Sequence, residues 1–344
     1  MSELDSYLDS LSTAGEKQGA EGHFTIDPFK SQKKLQVFRM ARPEYCLLPI
    51  IAGAVLGGAT VIDVRQDSDG HFSVTFDGRW WTYQDFPELL SSKEPITREF
   101  QLGLSAAQAM QPRRVVFRSL YGGLESQLTV LDGNPSSGHR SVEDTGKDFN
   151  EVRIEGARVA PQTSIYNLLM ERCSYCPRVA WMGRRLIRNS PPETAGRLHL
   201  DDPSFSQPSI VLSAWTSATA EEAGCSGHLW TSEEPFNKFN FVINGITYPK
   251  TVQFGFYQGF CGVITAPGLQ LDISRESVVE DQAFRDLMDH LKRIVNTKLM
   301  PKIKRQFRLM MPLQRDVARR FLGQWQQEQS GAGSPPLNPL RAKP

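Results

Sequence analysis

The sequence predicts an α+β protein made of two successive units, each combining a β-sheet with packed helices. The chain has 344 residues, more than one average hydrophobic core holds. Short β-type runs and helical patterns occur in both halves, which is typical of α+β folds. A polar, turn-rich stretch at 133–150 separates the two groups and indicates the boundary between the units.

The first unit, over about 23–140, is predicted to centre on a buried helix at 44–56. Pro43 followed by Glu44 is typical of a helix opening, and residues 47–56 are apolar on all sides. Alternation of residue types predicts the other elements. These are a short helix at 29–38, strands at 60–65 and 71–76 joined by a turn at 67–70, helices at 83–90 and 103–110, and strands at 114–119 and 124–132.

The second unit, over about 151–326, is predicted to open with a helix at 164–172 and to close with a long helical region at 282–326. Pro301 and Pro312 are expected to break that region, because proline lacks the backbone donor that a helix interior needs. The strands predicted between them lie at 178–182, 210–215, 239–243, 253–256 and 261–264.

The termini and the overall charge exclude several classes of protein. Residues 1–22 and 327–344 are small and polar, and they predict a disordered or weakly helical arm and a disordered tail. The net charge is only +1, so nothing global argues for nucleic acid or a membrane surface. The longest apolar stretch, 46–59, is too short to span a bilayer, and no secretory signal precedes it. Five cysteines are an odd, sparse set, which predicts a reducing, cytoplasmic location.

Two stretches resemble one known family. Residues 262–281, GVITAPGLQLDISRESVVED, resemble the middle-domain segment of the ninety-kilodalton heat-shock chaperones, which also carries Leu-x-Leu-Asn/Asp-Ile-Ser-Arg-Glu before a helix. Residues 100–119, FQLGLSAAQAMQPRRVVFRS, are similar to the phosphate lid, helix and strand of the same chaperones. The resemblance covers about 24–300. It implies the GHKL superfamily architecture: a Bergerat-type α/β sandwich followed by an α+β domain of the middle or transducer type.

The resemblance implies ATP and Mg²⁺ as cofactors, and it assigns four site residues. Arg275 lies where the family carries the arginine that stabilises charge on the transferring phosphate, and it is the catalytic candidate. Asp77 and Gly78 fall at the adenine-reading turn. Gly103 belongs to the lid, where backbone N–H groups can approach phosphates.

The family's other signature residues are missing. Pro49 and Gly53 stand where a Glu that orients the attacking water and an Asn that binds Mg²⁺ are expected. Phe76 replaces the Asp of the adenine motif, and Gln101 replaces a lid glycine. The sequence therefore predicts a degenerate ATP-binding or pseudo-ATPase module that serves as a scaffold or binding protein. An active ATP-dependent chaperone is the alternative, and hydrolysis stays an open question.

Each site residue also has a purely structural interpretation. Arg275 can open a helix and pair locally with Glu276. The Asp77–Gly78 dipeptide can form an ordinary turn at a strand end. Gly103 can permit close packing of two helices, and the Trp80–Trp81 pair can pack in the core and at its rim.

Two further features suggest other functions. The pairs Cys173/Cys176 and Cys225/His228 have zinc-knuckle spacing, but 48 residues separate them, so no metal site is expected. Residues 282–326 hold eleven Lys and Arg against three Asp and Glu, a local net charge of +8. The Cys/His pairs and the basic segment together give a third hypothesis, a zinc-stabilised adaptor with a basic docking surface.

A protein partner or client is expected. Nucleic acid is disfavoured because few aromatic residues accompany the charge. The oligomeric state is open.

Overall fold

The structure is a computed structural model that describes residues 42–67, 71–89, 93–131, 133–143, 146–157, 162–176, 179–181, 185–187, 209–216, 224–231, 236–254, 257–272, 274–309 and 312–330. The chain divides into two compact units, Met1–Phe38 and Arg39–Pro344, and every described residue belongs to the second. The predicted N-terminal arm, the helix at 29–38 and most of the C-terminal tail lie outside the described residues.

The first sheet has eight strands in the order β5-β4-β3-β6-β2-β1-β7-β8. All neighbours are antiparallel except β1 and β7, which pair in parallel with Ile62 opposite Val179. The strands are β1 (Ile62–Gln66), β2 (Phe72–Phe76), β3 (Arg114–Tyr121), β4 (Leu124–Leu131), β5 (Asn134–Ser141), β6 (Phe149–Glu155), β7 (Val179–Trp181) and β8 (Arg185–Ile187).

The boundary predicted at 133–150 is wrong. That stretch contains β5 and the start of β6, and β6 lies inside the first sheet between β2 and β3. The sheet therefore extends to residue 187. Every residue of β5 is exposed to solvent, so this edge strand is as polar as a loop. The prediction therefore took its polar residues for a linker.

The second sheet has five strands in the order β12-β11-β13-β10-β9. The pairs β9–β10, β10–β13 and β11–β12 are antiparallel, and β11 pairs in parallel with β13. The strands are β9 (Ser209–Thr216), β10 (Gly224–Thr231), β11 (Asn237–Ile243), β12 (Ile246–Val252) and β13 (Phe260–Thr265). This confirms that the second half of the chain carries a sheet of its own.

Seven α-helices accompany the sheets within the described residues. They are α1 (Leu47–Leu56), α2 (Asp85–Leu89), α3 (Pro95–Ala107), α4 (Gln162–Arg172), α5 (Gln282–Ile294), α6 (Met300–Gln306) and α7 (Pro312–Gln329). A 3₁₀ turn at Pro43–Cys46 leads into α1, and a π-helical turn at Val295–Leu299 joins α5 to α6. Pro301 and Pro312 lie in the first turns of α6 and α7, where a missing N–H has no partner to lose, so the region is divided into shorter helices near both prolines as predicted.

The helix α1 lies at the centre of the molecule. Its residues from Leu47 to Ala54 are all buried, which confirms the prediction of an enclosed helix. It packs against α3 on one side and contacts both β2 of the first sheet and β12 of the second. The two sheets share one continuous hydrophobic core. The predicted cleft between two separate domains is therefore replaced by a packed junction in a single compact unit.

One face of the first sheet carries charged side chains in register. Arg118 lies opposite Glu151, Arg114 opposite Glu155, and Arg140 opposite Glu125, with ion-pair distances of 2.6, 2.6 and 3.0 Å. Cross-strand pairs of opposite charge stabilise the pairing of neighbouring strands on this face. The arginines hold the pKa of Glu155 down at about 2, even though partial burial opposes its charge.

Three further elements differ from prediction. The helix predicted at 103–110 begins eight residues earlier, at Pro95. β12 was missed, although Asn244 and Gly245, with φ of 51° and 82°, form the two-residue turn typical of a β-hairpin. β10 was also missed because its Cys and His residues suggested a metal site. No helix within the described residues has the length and apolar character needed to cross a bilayer.

Candidate functional site

The face of α1 where the family carries its Glu and Asn is packed against α3. A Cβ placed on Gly53 would meet the ring of Phe100 at 2.9 Å, so the ring lies directly on the glycine. Pro49, at the Glu position, is buried in the same helix. Neither residue carries an oxygen that could orient water or bind Mg²⁺. The residues present at these two positions therefore do not fit a nucleotide–magnesium complex.

Gly103 lies inside α3 and serves close packing. A Cβ at this position would meet Cγ1 of Ile50 at 2.5 Å and the carbonyl oxygen of Cys46 at 3.2 Å. The expectation that Gly103 belongs to a phosphate-binding lid is therefore corrected, because residues 100–103 form helix rather than loop. Their N–H groups lie beyond the first turn, where the helix's own carbonyls accept them.

Five buried aromatic rings fill the space between α3 and the first sheet. The rings of Phe76 and Phe100 stack at 5.6 Å, and Trp81 meets Phe100 edge-on at 5.7 Å. No ring in the cluster is more than 4% exposed. The aromatic cluster consists of Phe76, Trp81, Phe86, Phe100 and Phe117. Phe76, at the adenine-reading position, thus contributes to the core. Trp80 lies at the rim, 45% exposed and stacked on Tyr121.

The Asp77–Gly78 turn holds the chain that follows α1. The carboxylate of Asp77 accepts hydrogen bonds from the N–H groups of Thr60 and Val61 and from the Thr60 hydroxyl, at 2.7, 2.8 and 2.5 Å. Although partial burial opposes its charge, these bonds hold the pKa of Asp77 below its usual range. Gly78 has φ of 98°, and a Cβ there would meet the carbonyl oxygen of Gly57 at 2.7 Å. Both residues have a structural role in this turn.

Arg275 occupies a tight loop between the second sheet and α5. The loop is closed by backbone hydrogen bonds from Arg275 to Asp272 and from Asp272 to Ser277, each 3.0 Å long. The Asp272 carboxylate also accepts bonds from Ser274 and Glu276. Arg275 itself has φ of 58°, a left-handed conformation that non-glycine residues rarely adopt. Among the described residues, an isolated bridge from Leu271 to Val278 spans the base of the loop.

The side chain of Arg275 reaches across to α3. Its guanidinium donates a hydrogen bond to Oε1 of Glu99 at 2.6 Å, and it also bonds the hydroxyl of Tyr248 on β12. The Glu99 and Arg275 side chains are 8% and 19% exposed. Burial raises the pKa of the Tyr248 phenol to about 12, so it stays neutral. We call Glu99, Tyr248 and Arg275 the junction cluster, because it joins α3 to the second sheet.

Two more charged residues lie buried beside the junction cluster. Arg172, at the end of α4, donates to the carbonyl oxygen of Thr247 at 3.3 Å, and its guanidinium lies 5.9 Å from the ring of Tyr248. Glu44, in the turn before α1, lies 3.4 Å from the Ser164 hydroxyl and is 7% exposed. Sequence reasoning located Arg275 but missed Glu99 and Arg172. Each has a charged neighbour in its helix, Arg98 beside Glu99 and Glu171 beside Arg172, and nothing in the sequence marks which member of the pair is buried.

The two Cys/His pairs lie on different elements. Cys173 and Cys176 follow α4 and are buried, whereas Cys225 and His228 lie on β10. Cys176 packs against the β11–β12 turn, where a Cβ on Gly245 would meet its sulfur at 2.9 Å. Burial raises the pKa of Cys176 to about 12, so its thiol stays protonated. In the part of the chain that the structure describes, no three His, Cys, Asp or Glu side chains converge on a common metal position.

Comparison with known proteins gives a likeness of fold but no match of sequence. Matching the sequence against family models and against curated proteins returns no match. The fold is similar to that of the B-subunit of the DNA gyrase from Myxococcus xanthus, with a TM-score of 0.55 and 10% identity, over 79% of this chain and 97% of that one. The chain therefore has an α+β fold of the GHKL type. This likeness does not extend to the heat-shock chaperones in particular.

Proposed function

We propose that this chain is a GHKL-fold scaffold or binding module whose nucleotide site is degenerate, in other words a pseudo-ATPase. The observation that carries the proposal is the contact of Phe100 with Gly53. It puts an aromatic ring where a Mg²⁺ ligand is expected and closes α3 onto α1. Buried rings and a glycine offer a divalent cation no oxygen ligand.

The state of Arg275 supports the same proposal. An arginine that stabilises charge on a phosphate needs its guanidinium available to that phosphate. Here the guanidinium is paired with Glu99 in a largely buried position, and Tyr248 takes a second hydrogen bond. The charge is thus neutralised inside the protein. A partner or client protein, rather than nucleotide chemistry, is then the natural basis of function.

An active ATP-dependent chaperone is the alternative, and one observation favours it. Arg275 does reach from the second sheet to α3, which is the direction that a phosphate-contacting arginine would take. Exchange of Glu99 for a phosphate would then be the activating step. Three cysteines support our proposal of a reducing compartment such as the cytoplasm, because Cys46, Cys173 and Cys176 are buried free thiols.

A steady-state ATPase assay with calorimetry of ATP·Mg²⁺ binding tests the proposal. We expect hydrolysis at the buffer background, because loss of a positioned general base costs about 10²–10⁴ in rate, and we expect no heat of binding. Turnover that is abolished by Arg275→Ala but retained by Arg98→Ala, an exposed arginine on α3, would establish the active chaperone instead. Circular dichroism of both variants would show that each is folded.

A further inference from the structure

The helices after the second sheet carry an unusually one-sided charge. From His290 to Arg315 the sequence holds eight Lys and Arg and no Asp or Glu. Five of these eight have exposed side chains and no ion pair within the described residues. We call these five the basic stripe: Arg293, Lys298, Lys304, Arg305 and Arg308.

The basic stripe is held on a rigid support. The opposite side of the same segment is fully buried, with Val295, Leu299, Met300 and Ile303 at 0% exposure. From Arg293 to Arg308 the helical rise of about 1.5 Å per residue gives a length of about 22 Å. A preorganised row of cations binds an anionic partner without a large ordering cost.

The local field is positive. His290 lies one turn before the basic stripe, and its pKa is lowered by burial and further by the charges of Arg293 and Lys298. The acidic residues nearest in sequence are Asp289 and Asp316, and Asp316 is paired with Arg319 at 2.8 Å. Asp289 lies one turn before Arg293 on α5, but no carboxylate occurs between Arg293 and Arg308, so the other four cations of the stripe have no acidic neighbour within that segment.

The rest of the chain has the opposite sign. Residues 282–326 contribute +8 to a total of +1, so the remainder carries −7. A long polyanion such as duplex nucleic acid would extend beyond the stripe, and the net negative remainder offers it no further excess of cations. An anionic membrane would find no large apolar side chain to bury among the exposed residues described from 293 to 308. A short acidic segment fits the length and the width of the stripe.

We propose that the basic stripe docks an extended, Asp- and Glu-rich segment of a partner protein. At about 3.3 Å per residue, a segment of about seven residues covers the 22 Å length. Three of the five cations are arginines, which bind carboxylates through two parallel hydrogen bonds. This partner class would suit the binding module proposed above, but the surface does not depend on the state of the nucleotide site.

The test uses the full chain and a fluorescent peptide of about eight alternating Asp and Glu residues. We expect saturable binding that weakens as salt rises, as contacts between exposed charges do. Lys298→Glu with Arg305→Glu should weaken binding about tenfold, since two attractions become repulsions. The matched control is Lys93→Glu with Lys147→Glu, an equal change of charge at exposed residues elsewhere, and it should bind like the parent.

Three results would overturn the proposal: no peptide binding, equal loss in both double variants, or tighter binding of a duplex DNA of about 20 base pairs or of anionic vesicles. Duplex DNA would also show its own steep salt dependence from phosphate contacts. Repeating the titration with ATP·Mg²⁺ separates this surface from the nucleotide site. Peptide binding that is unchanged by ATP stands even if the chain proves to hydrolyse ATP.

Discussion

The aromatic cluster and the junction cluster meet different sides of the same helix, α3, and under the proposed function they would exclude nucleotide chemistry in different ways. On one side of α3, Phe100 packs on Gly53 and apolar rings fill the space. On the other side, Glu99 retains a charge and pairs it with Arg275. Under the proposed function, two adjacent residues of one helix would show two outcomes of degeneration. Groups can be replaced by packing, or a functional charge can be kept and neutralised by a protein carboxylate.

The largest expected loss of stability comes from removing the Phe100 ring from the aromatic cluster. Phe100→Ala should lower the free energy of unfolding by about 3–5 kcal/mol, because it leaves a cavity among rings that cannot collapse. Urea unfolding at neutral pH measures it. Phe236→Ala is the control, since that ring is 41% exposed and should cost less than about 1 kcal/mol. Equal costs for the two variants would mean that α3 is not packed on α1 as described.

The next effect comes from breaking the junction cluster. Glu99→Gln should cost about 2–3 kcal/mol, because it leaves Arg275 largely buried without its counter-ion. The control is Glu94→Gln, which removes the exposed ion pair to Arg79 and should cost less than about 1 kcal/mol.

A double-mutant cycle sharpens the same comparison. Glu99→Gln combined with Arg275→Gln should cost clearly less than the sum of the single changes, because neither variant side chain leaves a charge behind. Strict additivity would show that the two residues do not interact. Their contact would then say nothing about how the arginine's charge is neutralised.

The smallest effect concerns Asp77, at the turn after α1. Its pKa is lowered in the folded protein, so its contribution to stability is present above the unfolded value of 3.8 and is lost as the pH falls below it. Asp77→Asn should therefore cost about 1 kcal/mol near pH 7 and less near pH 3. Unfolding curves at both values measure the difference. A cost that is the same at both values would contradict the assignment.

The sequence allowed prediction of local elements far better than of pairings between distant strands. The helix α1 was found because Leu47–Leu56 is apolar on every side, a pattern with few structural solutions. The placement of β6, β7 and β8 in the first sheet was missed, because β1 pairs with residues more than a hundred positions away. A local sequence pattern contains no information about a strand partner so far away in the chain.

The residues of the candidate site also divide into those that a local motif predicted and those that it could not. Arg275 was located by a motif of neighbouring residues, and the structure does bring it to α3. Its partner Glu99 carries no such mark, since a Glu in an amphipathic helix is most often solvated. The structural interpretations of Gly103 and of Asp77 with Gly78 agree with their contacts. Only the three-dimensional neighbours decided between packing and ligand binding.

The insertion of β6 between β2 and β3 has a consequence for synthesis on the ribosome. Until residue 155 has emerged, β2 and β3 each present an unpaired edge to the surrounding solution. The parallel partner of β1 arrives later still, with β7. A nascent chain that ends within 133–150 would carry an incomplete sheet, whose unpaired strand edges favour association with other chains.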